Sequence, residues 1–312
     1  MIFNKSNGPR SFPILFLLFT LAGSAAAQWT PSTVAARNNL YCAGFVQTAP
    51  INTDRRIIGA YNEQDGFIYA QSDVIYLNVG ANRGVQVGDR MSVVRPRGKV
   101  NTRWTDKGSL GYYVQEVGAV EVIRVKGDHS IATIRTSCDN FLLGDLVMPY
   151  TERTSPAYVE RPALDRYADR SGKAMGRIFM ARDSQEMITR DQIVYVDLGA
   201  EDNVSVGDYL TIFRPLGDGN LLHGPPESVS ARDYGYQSLI YRGDKFSNQA
   251  GRKSGSKAGG RVVTTPKAKD DRPDIRKVVG EAVVLNVKER TATVVVTRTA
   301  QEIHTGDWVE IQ

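Results

Sequence analysis

The chain contains few of the residues that most often carry catalysis or bind metal ions. Its 312 residues include three histidines and two cysteines. None of the patterns HExxH, CxxC or GxSxG occurs, which excludes the common signatures of zinc proteases, dithiol redox sites and serine hydrolases. The histidines, His129, His223 and His304, are scattered along the chain and show no ligand spacing. We therefore expect no metal ion and no other cofactor.

Long apolar runs are also lacking. The run at residues 13–23 (PILFLLFTLAG) is too short for a stable membrane-spanning helix, and no other segment approaches ~20 apolar residues. It follows Lys5 and Arg10 and precedes small residues, which predicts a cleaved export signal over residues 1–27. We expect the mature protein to be periplasmic or secreted, with no transmembrane segment and no nucleic-acid partner.

The two cysteines have a simple interpretation in an exported chain. One disulfide, Cys42–Cys138, is predicted, because such compartments are oxidising. It would tie an N-terminal segment (residues 28–60) to the first domain. Two free buried thiols are the alternative.

The sequence contains an internal repeat. The stretch DVIYLNVGANRGVQVGDRMSVVRP begins at Asp73 and aligns with DQIVYVDLGAEDNVSVGDYLTIFRP, which begins at Asp191. A second pair begins at Val117 (VGAVEVIRVKGDHSIATIRTSCDNFLLGDLV) and at Val279 (VGEAVVLNVKERTATVVVTRTAQEIHTGDWV). The offsets are 119 and 162 residues, so the second copy carries 43 extra residues. We predict a tandem duplication with one long insertion.

Residues 80–89 (GANRGVQVGD) have the glycine content of a phosphate-binding loop, but the repeat indicates a turn. Asn203 takes the place of Gly84 in the second copy, and both residue types tolerate the left-handed backbone conformation. A Walker loop needs Lys followed by Ser or Thr, whereas Asp89 and Asp208 follow here and would repel phosphate. These glycines are predicted to allow the backbone conformation of a turn.

Four Gly–Asp pairs have two interpretations. Each aspartate caps its own turn, or the carboxylates cluster for acid–base chemistry on a glycan or for binding calcium. Occurrence at equivalent places in both copies favours capping. The predicted turn residues are Gly80, Gly88, Asp89, Gly144, Asp145, Gly199, Gly207, Asp208, Gly306 and Asp307.

The repeat predicts an all-β fold of two small antiparallel barrels. β-branched and aromatic runs alternate around short turns, including hairpins centred on residues 126–128 and 288–290. A barrel buries such strands without leaving a free edge. The predicted domains are residues 61–150 and 176–312. The linker between them, residues 151–175, is charged, and a short helical piece is expected at 163–168.

A basic insertion is predicted at about residues 220–276 of the second copy. Its Gly/Ser/Lys composition favours disorder. Residues 227–276 carry a formal charge of +5, and the rest of the mature chain carries −2. The insertion contacts an anionic surface or is only a solvated linker. Its candidate contact residues are Lys245, Arg252, Lys253, Lys257, Arg261, Lys267 and Lys269.

Aromatic residues are concentrated in loops between the half-repeats. They form a binding face for glycan or protein, or they anchor the loops to the barrels. These residues are Trp104, Tyr112, Tyr113, Tyr234, Tyr236 and Tyr241.

Over residues 61–150 and 176–312 the repeat resembles a known envelope module. The strands and Gly–Asp turns of VYVDLG…VSVGDYLTIFRP are similar to those of the C-terminal domain of the flagellar assembly T protein. They are also similar to β-modules that follow LysM cell-wall-binding domains, although no LysM segment precedes them here. The resemblance implies a periplasmic structural or interaction role and supplies no catalytic residues.

Two functions from different classes follow. The first is a non-enzymatic exported envelope protein that binds a protein partner, peptidoglycan or an anionic surface. The alternative is an envelope enzyme that acts on glycan through the turn aspartates.

Overall fold

The computed structural model describes Met1 and residues 32–36, 40–216 and 275–312. These residues form a closed six-stranded antiparallel barrel, a seven-stranded antiparallel sheet and a two-stranded sheet, which confirms the predicted all-β fold class. We call the seven-stranded sheet the first barrel because a bridge joins its two ends. Apart from Met1, the predicted export signal at 1–27 lies outside the described residues. So does the predicted insertion, except for its last two residues.

The first barrel is a seven-stranded antiparallel sheet. Its strands are β1 (Phe45–Gln47), β2 (Ile57–Ala60), β3 (Val74–Leu77), β4 (Arg90–Lys99), β5 (Tyr112–Val125), β6 (Ser130–Ser137) and β7 (Leu146–Pro149). The order is β2-β3-β6-β5-β4-β7, with β1 added beside β5. The two ends of the sheet meet at an Arg56–Leu146 bridge, where the Ile57 N–H donates to the Asp145 carbonyl over 2.9 Å.

The second barrel is a closed sheet of six antiparallel strands. Its strands are β8 (Met175–Ala181), β10 (Ile193–Val196), β11 (Tyr209–Pro215), β12 (Arg276–Val287), β13 (Ala292–Thr299) and β15 (Trp308–Ile311). The order is β10-β13-β12-β11-β15-β8. Two short strands, β9 (Met187–Ile188) and β14 (Ile303–His304), pair with each other beside the barrel.

The strand orders of the two barrels correspond. When β2, β3, β4, β5, β6 and β7 are matched with β8, β10, β11, β12, β13 and β15, every neighbouring pair is reproduced. The registers agree as well: Arg90 faces Glu121 in the first barrel, and Tyr209 faces Val283 in the second. Residues at the same place in the two barrels can therefore be compared directly.

The hairpins lie where the sequence predicts them. β5 and β6 are joined through residues 126–129, and β12 and β13 through residues 288–291. Buried and less buried residues alternate along β6, as expected for a strand with one face in a core. In the second barrel β10 and most of β12 are buried on both faces, because other parts of the chain cover the outside of the barrel.

Three segments depart from the predicted organisation. β2 precedes the predicted domain start at residue 61 and belongs to the first barrel. β8 begins at Met175, the last residue of the predicted linker. The helical piece expected at 163–168 is wrong, because those residues contain only a short turn. Backbone and side-chain contacts with the second barrel hold this part of the chain, and no helix is needed to satisfy its polar groups.

Candidate functional site

The four Gly–Asp turns have one capping geometry. Each aspartate accepts the backbone N–H of the residue three positions earlier: Gln86, Leu142, Ser205 and His304 donate over 2.8–2.9 Å. The glycine before each aspartate has a φ between 92° and 97°, in the region that favours glycine. The carboxylates therefore stabilise their own turns.

Two of these aspartates also hold an arginine from β4 or β11. The Arg95 guanidinium donates to both oxygens of Asp145 over 2.7 and 2.8 Å. Arg214 binds Asp307 in the same way over 2.6 and 2.8 Å. Hydrogen bonding to the carboxylates raises the pKa of both arginines. The Arg-Pro doublets of the repeat thus brace the Gly–Asp turns from a neighbouring strand.

Residues 80–89 form a turn beside a hairpin. Gly84 and its counterpart Asn203 both have a left-handed backbone, with φ of 77° and 61°. Gly80 has an ordinary φ, but a Cβ there would lie 2.6 Å from the His129 nitrogen and the Lys126 carbonyl oxygen. Gly80 is therefore required by the close approach of the β5–β6 turn.

Neither of the described histidines belongs to a metal-binding group, and His223 lies outside the described residues. His129 is half exposed and contacts Asp128 at 2.7 Å. His304 contacts the Glu186 carbonyl oxygen at 3.2 Å. Within residues 32–36, 40–216 and 275–312, no three His, Cys, Asp or Glu side chains lie together as metal ligands.

The predicted disulfide is confirmed. Cys42 and Cys138 are bonded, and their Cα atoms lie 5.5 Å apart, within the usual range. The bond fixes a short N-terminal segment, residues 40–47, to the end of β6. We call this segment the N-terminal strap.

The N-terminal strap joins the two barrels. Its backbone carbonyls at Ala43, Gly44 and Val46 accept hydrogen bonds over 2.6–3.1 Å from hydroxyl groups of the second barrel. The donors are Tyr195, Thr293 and Thr291. Burial raises the pKa of Tyr195, so its hydroxyl remains a donor. Apolar residues of the strap and the second barrel share one buried cluster.

A buried ion pair lies beside the strap. Glu116 of β5 is 6% exposed and accepts the Gly44 N–H over 3.0 Å. Arg153, from the linker, donates to both Glu116 oxygens over 2.5 and 3.1 Å. The same guanidinium donates to the Leu40 carbonyl over 3.2 Å. Strap, first barrel and linker therefore meet at one polar contact.

The loop between β4 and β5, residues 100–111, reaches the second barrel. Lys107 forms ion pairs with Glu201 at 2.6 Å and with Asp202. Trp104 packs so closely on Gly306 that a Cβ there would lie 2.9 Å from the ring. Of the aromatic residues predicted to lie in loops, Trp104 does so, whereas Tyr112 and Tyr113 belong to β5. Trp104 and Tyr113 are partly buried in the inter-barrel cluster, which supports the anchoring interpretation for them. Tyr234, Tyr236 and Tyr241 lie outside the described residues.

A concave groove of about 570 Å³ lies on the outer face of the first barrel. Its lining is mainly polar and comes from the strap, from the β2–β3 connection, from strands β4, β5 and β6, and from the residue that follows β7. The side chains used below are Tyr41, Gln71, Arg90, Glu121, Arg135 and Tyr150. The volume lies within the ~300–1,000 Å³ typical of ligand sites.

Charges of both signs form a row across the groove. Arg90 stands directly opposite Glu121 in the β4–β5 ladder. Arg135 of β6 donates to both Glu121 oxygens over 3.1 and 3.2 Å. Arg90 is exposed and has no ion-pair partner among the described residues. The row therefore holds two guanidinium groups and one carboxylate, which leaves it with one excess positive charge.

The sequence did not predict this groove. Its charged residues stand 31 and 14 positions apart, and only the strand registers bring them together. A comparison of the two barrels points to it: Arg90, Glu121 and Arg135 stand where the second barrel has Tyr209, Val283 and Thr297. Charges that differ between copies of one fold are not required by that fold. The predicted anionic-surface residues, from Lys245 to Lys269, all lie outside the described residues.

A scan against protein-family models finds no match, and a search of curated proteins finds none either. No helix in the described part of the chain is long and apolar enough to cross a membrane.

Proposed function

We propose that the protein is a non-enzymatic, exported envelope protein that binds a macromolecular partner through the groove of its first barrel. The observation that supports this most directly is the groove itself, a polar concave surface with unbalanced charge. Rigid scaffolds that present such surfaces are well suited to recognition. The proposal keeps the predicted envelope location, with which the Cys42–Cys138 disulfide is compatible.

The alternative, an envelope enzyme that uses turn aspartates, has no observation in its favour. Each carboxylate accepts a backbone N–H of its own turn, and Asp145 and Asp307 are also occupied by arginines. A glycan-cleaving activity that is lost in Asp89→Asn, with an unchanged melting temperature, would revive this alternative.

Site-specific photo-crosslinking in the native cells tests the binding role. A photoreactive residue is placed at Gln71, which lines the groove. The control position is Tyr167, which is 86% exposed and lies on the linker. We expect discrete adducts of higher mass from position 71 and none from position 167. Absence of adducts at position 71, with normal protein levels, would contradict a role for the groove.

A sedimentation experiment separates the classes of partner. The mature chain is mixed with purified cell-wall sacculi or with anionic vesicles, at low and at high salt, with and without residues 245–269. Salt-sensitive binding that requires residues 245–269 would assign surface attachment to the basic insertion. Binding to neither material, together with adducts at position 71, would indicate a protein partner.

A further inference from the structure

On the second barrel, the place that corresponds to the groove is occupied by the chain itself. Part of the linker crosses the outer face there, with Arg161 lying over the Tyr209 ring at 4.3 Å. The Arg161 guanidinium also donates to Glu281 over 2.8 Å, and Glu281 is only 2% exposed. Further along, the Val278 N–H donates to the Arg166 carbonyl over 3.2 Å. An irregular peptide segment thus docks on this face through side-chain and backbone contacts.

The two faces correspond residue by residue. Ala119 faces Thr136 in the first barrel, and Glu281 faces Arg298 at the same ladder position in the second. The second-barrel residues that contact the linker, or support that contact, are Tyr209, Glu281, Arg298 and Gln312. Their first-barrel counterparts are Arg90, Ala119, Thr136 and Tyr150, and all four line the groove.

Among the described residues nothing covers the groove, because residues 32–36 and 40–47 take a different course from the linker. β1 lies beside Val114 of β5, much as the linker near Ala168 lies beside Arg276 of β12. Upstream, however, the Val34 N–H donates to the Pro156 carbonyl over 3.0 Å, so this stretch pairs with the linker. No segment of the described chain crosses the groove in the way that residues 157–168 cross the second barrel.

The groove and the covered face differ in their charge. On the second barrel, Arg298 donates to both oxygens of the buried Glu281 over 3.1 and 2.6 Å, and the linker adds Arg161 over 2.8 Å. The first barrel has Ala119 at that position and carries Arg90 and Arg135 around the single carboxylate of Glu121. An acidic side chain would therefore balance the row. Tyr41 and Tyr150 are stacked at 5.6 Å and add an aromatic wall.

We infer that the groove binds an extended peptide segment of a partner protein that carries an acidic side chain, in the position that the linker takes on the second barrel. The inference rests on the proposed binding function and specifies its ligand. Arg90 and Arg135 receive the carboxylate, while open strand-face positions around Ala119 and Thr136 accommodate the peptide backbone. Arginine favours such contacts because its planar fork matches a carboxylate.

Selection of displayed peptides tests the inference without knowledge of the partner. Random 12-residue peptides on phage are selected on the intact mature chain. A parallel selection uses the double variant Arg90→Glu, Arg135→Glu. A control variant, Arg56→Glu with Arg124→Glu, changes the net charge equally at exposed residues that do not line the groove. Thermal melting verifies that all three proteins are folded.

We expect the wild type and the control variant to enrich the same family of peptides with Asp or Glu at a fixed position. Binding of a synthetic member should weaken at least tenfold in the groove variant and should decline with salt. No enrichment, enrichment of basic peptides, or equal binding to all three proteins would overturn the inference. If adducts at position 71 persist in those cases, the binding function stands and its ligand is not an acidic peptide.

Discussion

At the scale of single residues, the two barrels use different side chains, Asp197 and Asn78, to accept a backbone N–H at equivalent positions. The Asp197 carboxylate accepts the Arg177 N–H over 2.5 Å, and in the first barrel Asn78 accepts the Arg56 N–H over 2.7 Å. Burial raises the pKa of Asp197, although nearby Thr105 and Lys107 oppose that shift. Only an acceptor is needed for this bond, and a carboxylate pays a desolvation penalty that an amide avoids.

We therefore predict that Asp197→Asn melts a few degrees higher than the wild type at pH 7. A raised folded-state pKa means that the ionised form weakens the fold, and that this weakening disappears as pH falls toward the ordinary value of 3.8. The difference in melting temperature should narrow over that window. Thermal unfolding at a series of pH values provides the measurement, with Asn78→Asp as the reverse substitution. A pH-independent difference would contradict this assignment.

Substitutions of Asp145 and Asp89 distinguish the stability contributed by the arginine contact from that contributed by the turn cap. Asp145→Ala removes a cap and both hydrogen bonds to Arg95, and should lower the free energy of unfolding by about 2–3 kcal/mol. Asp89→Ala removes only the cap from the Gln86 N–H and should lower it by about 1 kcal/mol. Urea unfolding of the two variants gives the comparison. Equal losses would mean that the arginine contributes nothing.

Substitutions of two glycines in the same turn should change the stability of the protein to very different extents. Gly80→Ala places a Cβ against hairpin backbone and should destabilise by about 3 kcal/mol. Gly84→Asn should change stability by less than about 1 kcal/mol, because nothing lies within 4 Å and Asn203 already has that conformation. Thermal unfolding distinguishes them. A loss of several kcal/mol in Gly84→Asn would contradict the open surroundings of Gly84 in this structure.

At the scale of elements, the linker is a docked segment of the second barrel. Arg161→Ala removes an ion pair and a cation–π contact, so local opening should become easier by about 1–2 kcal/mol. Chymotrypsin should then cleave near Tyr158 and Tyr167 about tenfold faster. Arg166→Ala is the control, because the linker uses its carbonyl and not its side chain at this contact. Equal cleavage rates in both variants would argue against a docking role for Arg161.

The elements divide clearly into those that sequence can predict and those that it cannot. The hairpins and the strands beside Gly84 and Asn203 follow from alternation and turn chemistry, which are local properties. The course of the linker depends on partners such as Glu281, over a hundred residues away, so its charged composition suggested a helix instead. The groove depends on strand register in the same way. Only differences between the repeats point to it, at Arg90, Glu121 and Arg135.

At the scale of the whole molecule, the strap, the linker and the loop at 100–111 hold the two barrels as one body. We predict a single calorimetric transition for the wild type. In Arg153→Ala, Glu116 stays buried without its guanidinium partner, which should weaken the contact by about 3–5 kcal/mol and separate the melting of the two barrels. Arg124→Ala, at an exposed position, is the control. Two transitions in the wild type would contradict a fixed arrangement.

The strap also imposes an order on biosynthesis. Its carbonyls at Gly44 and Val46 receive their hydroxyl donors from Thr293 and Thr291, about 250 residues later in the chain. The ribosome therefore synthesises the strap long before it synthesises Thr291 and Thr293. Until the β12–β13 hairpin emerges, the strap lacks these two donors. Formation of the β12–β13 hairpin is therefore the step that completes the hydrogen bonds between the strap and the second barrel. A chain truncated before this hairpin would leave the Gly44 and Val46 carbonyls without these donors.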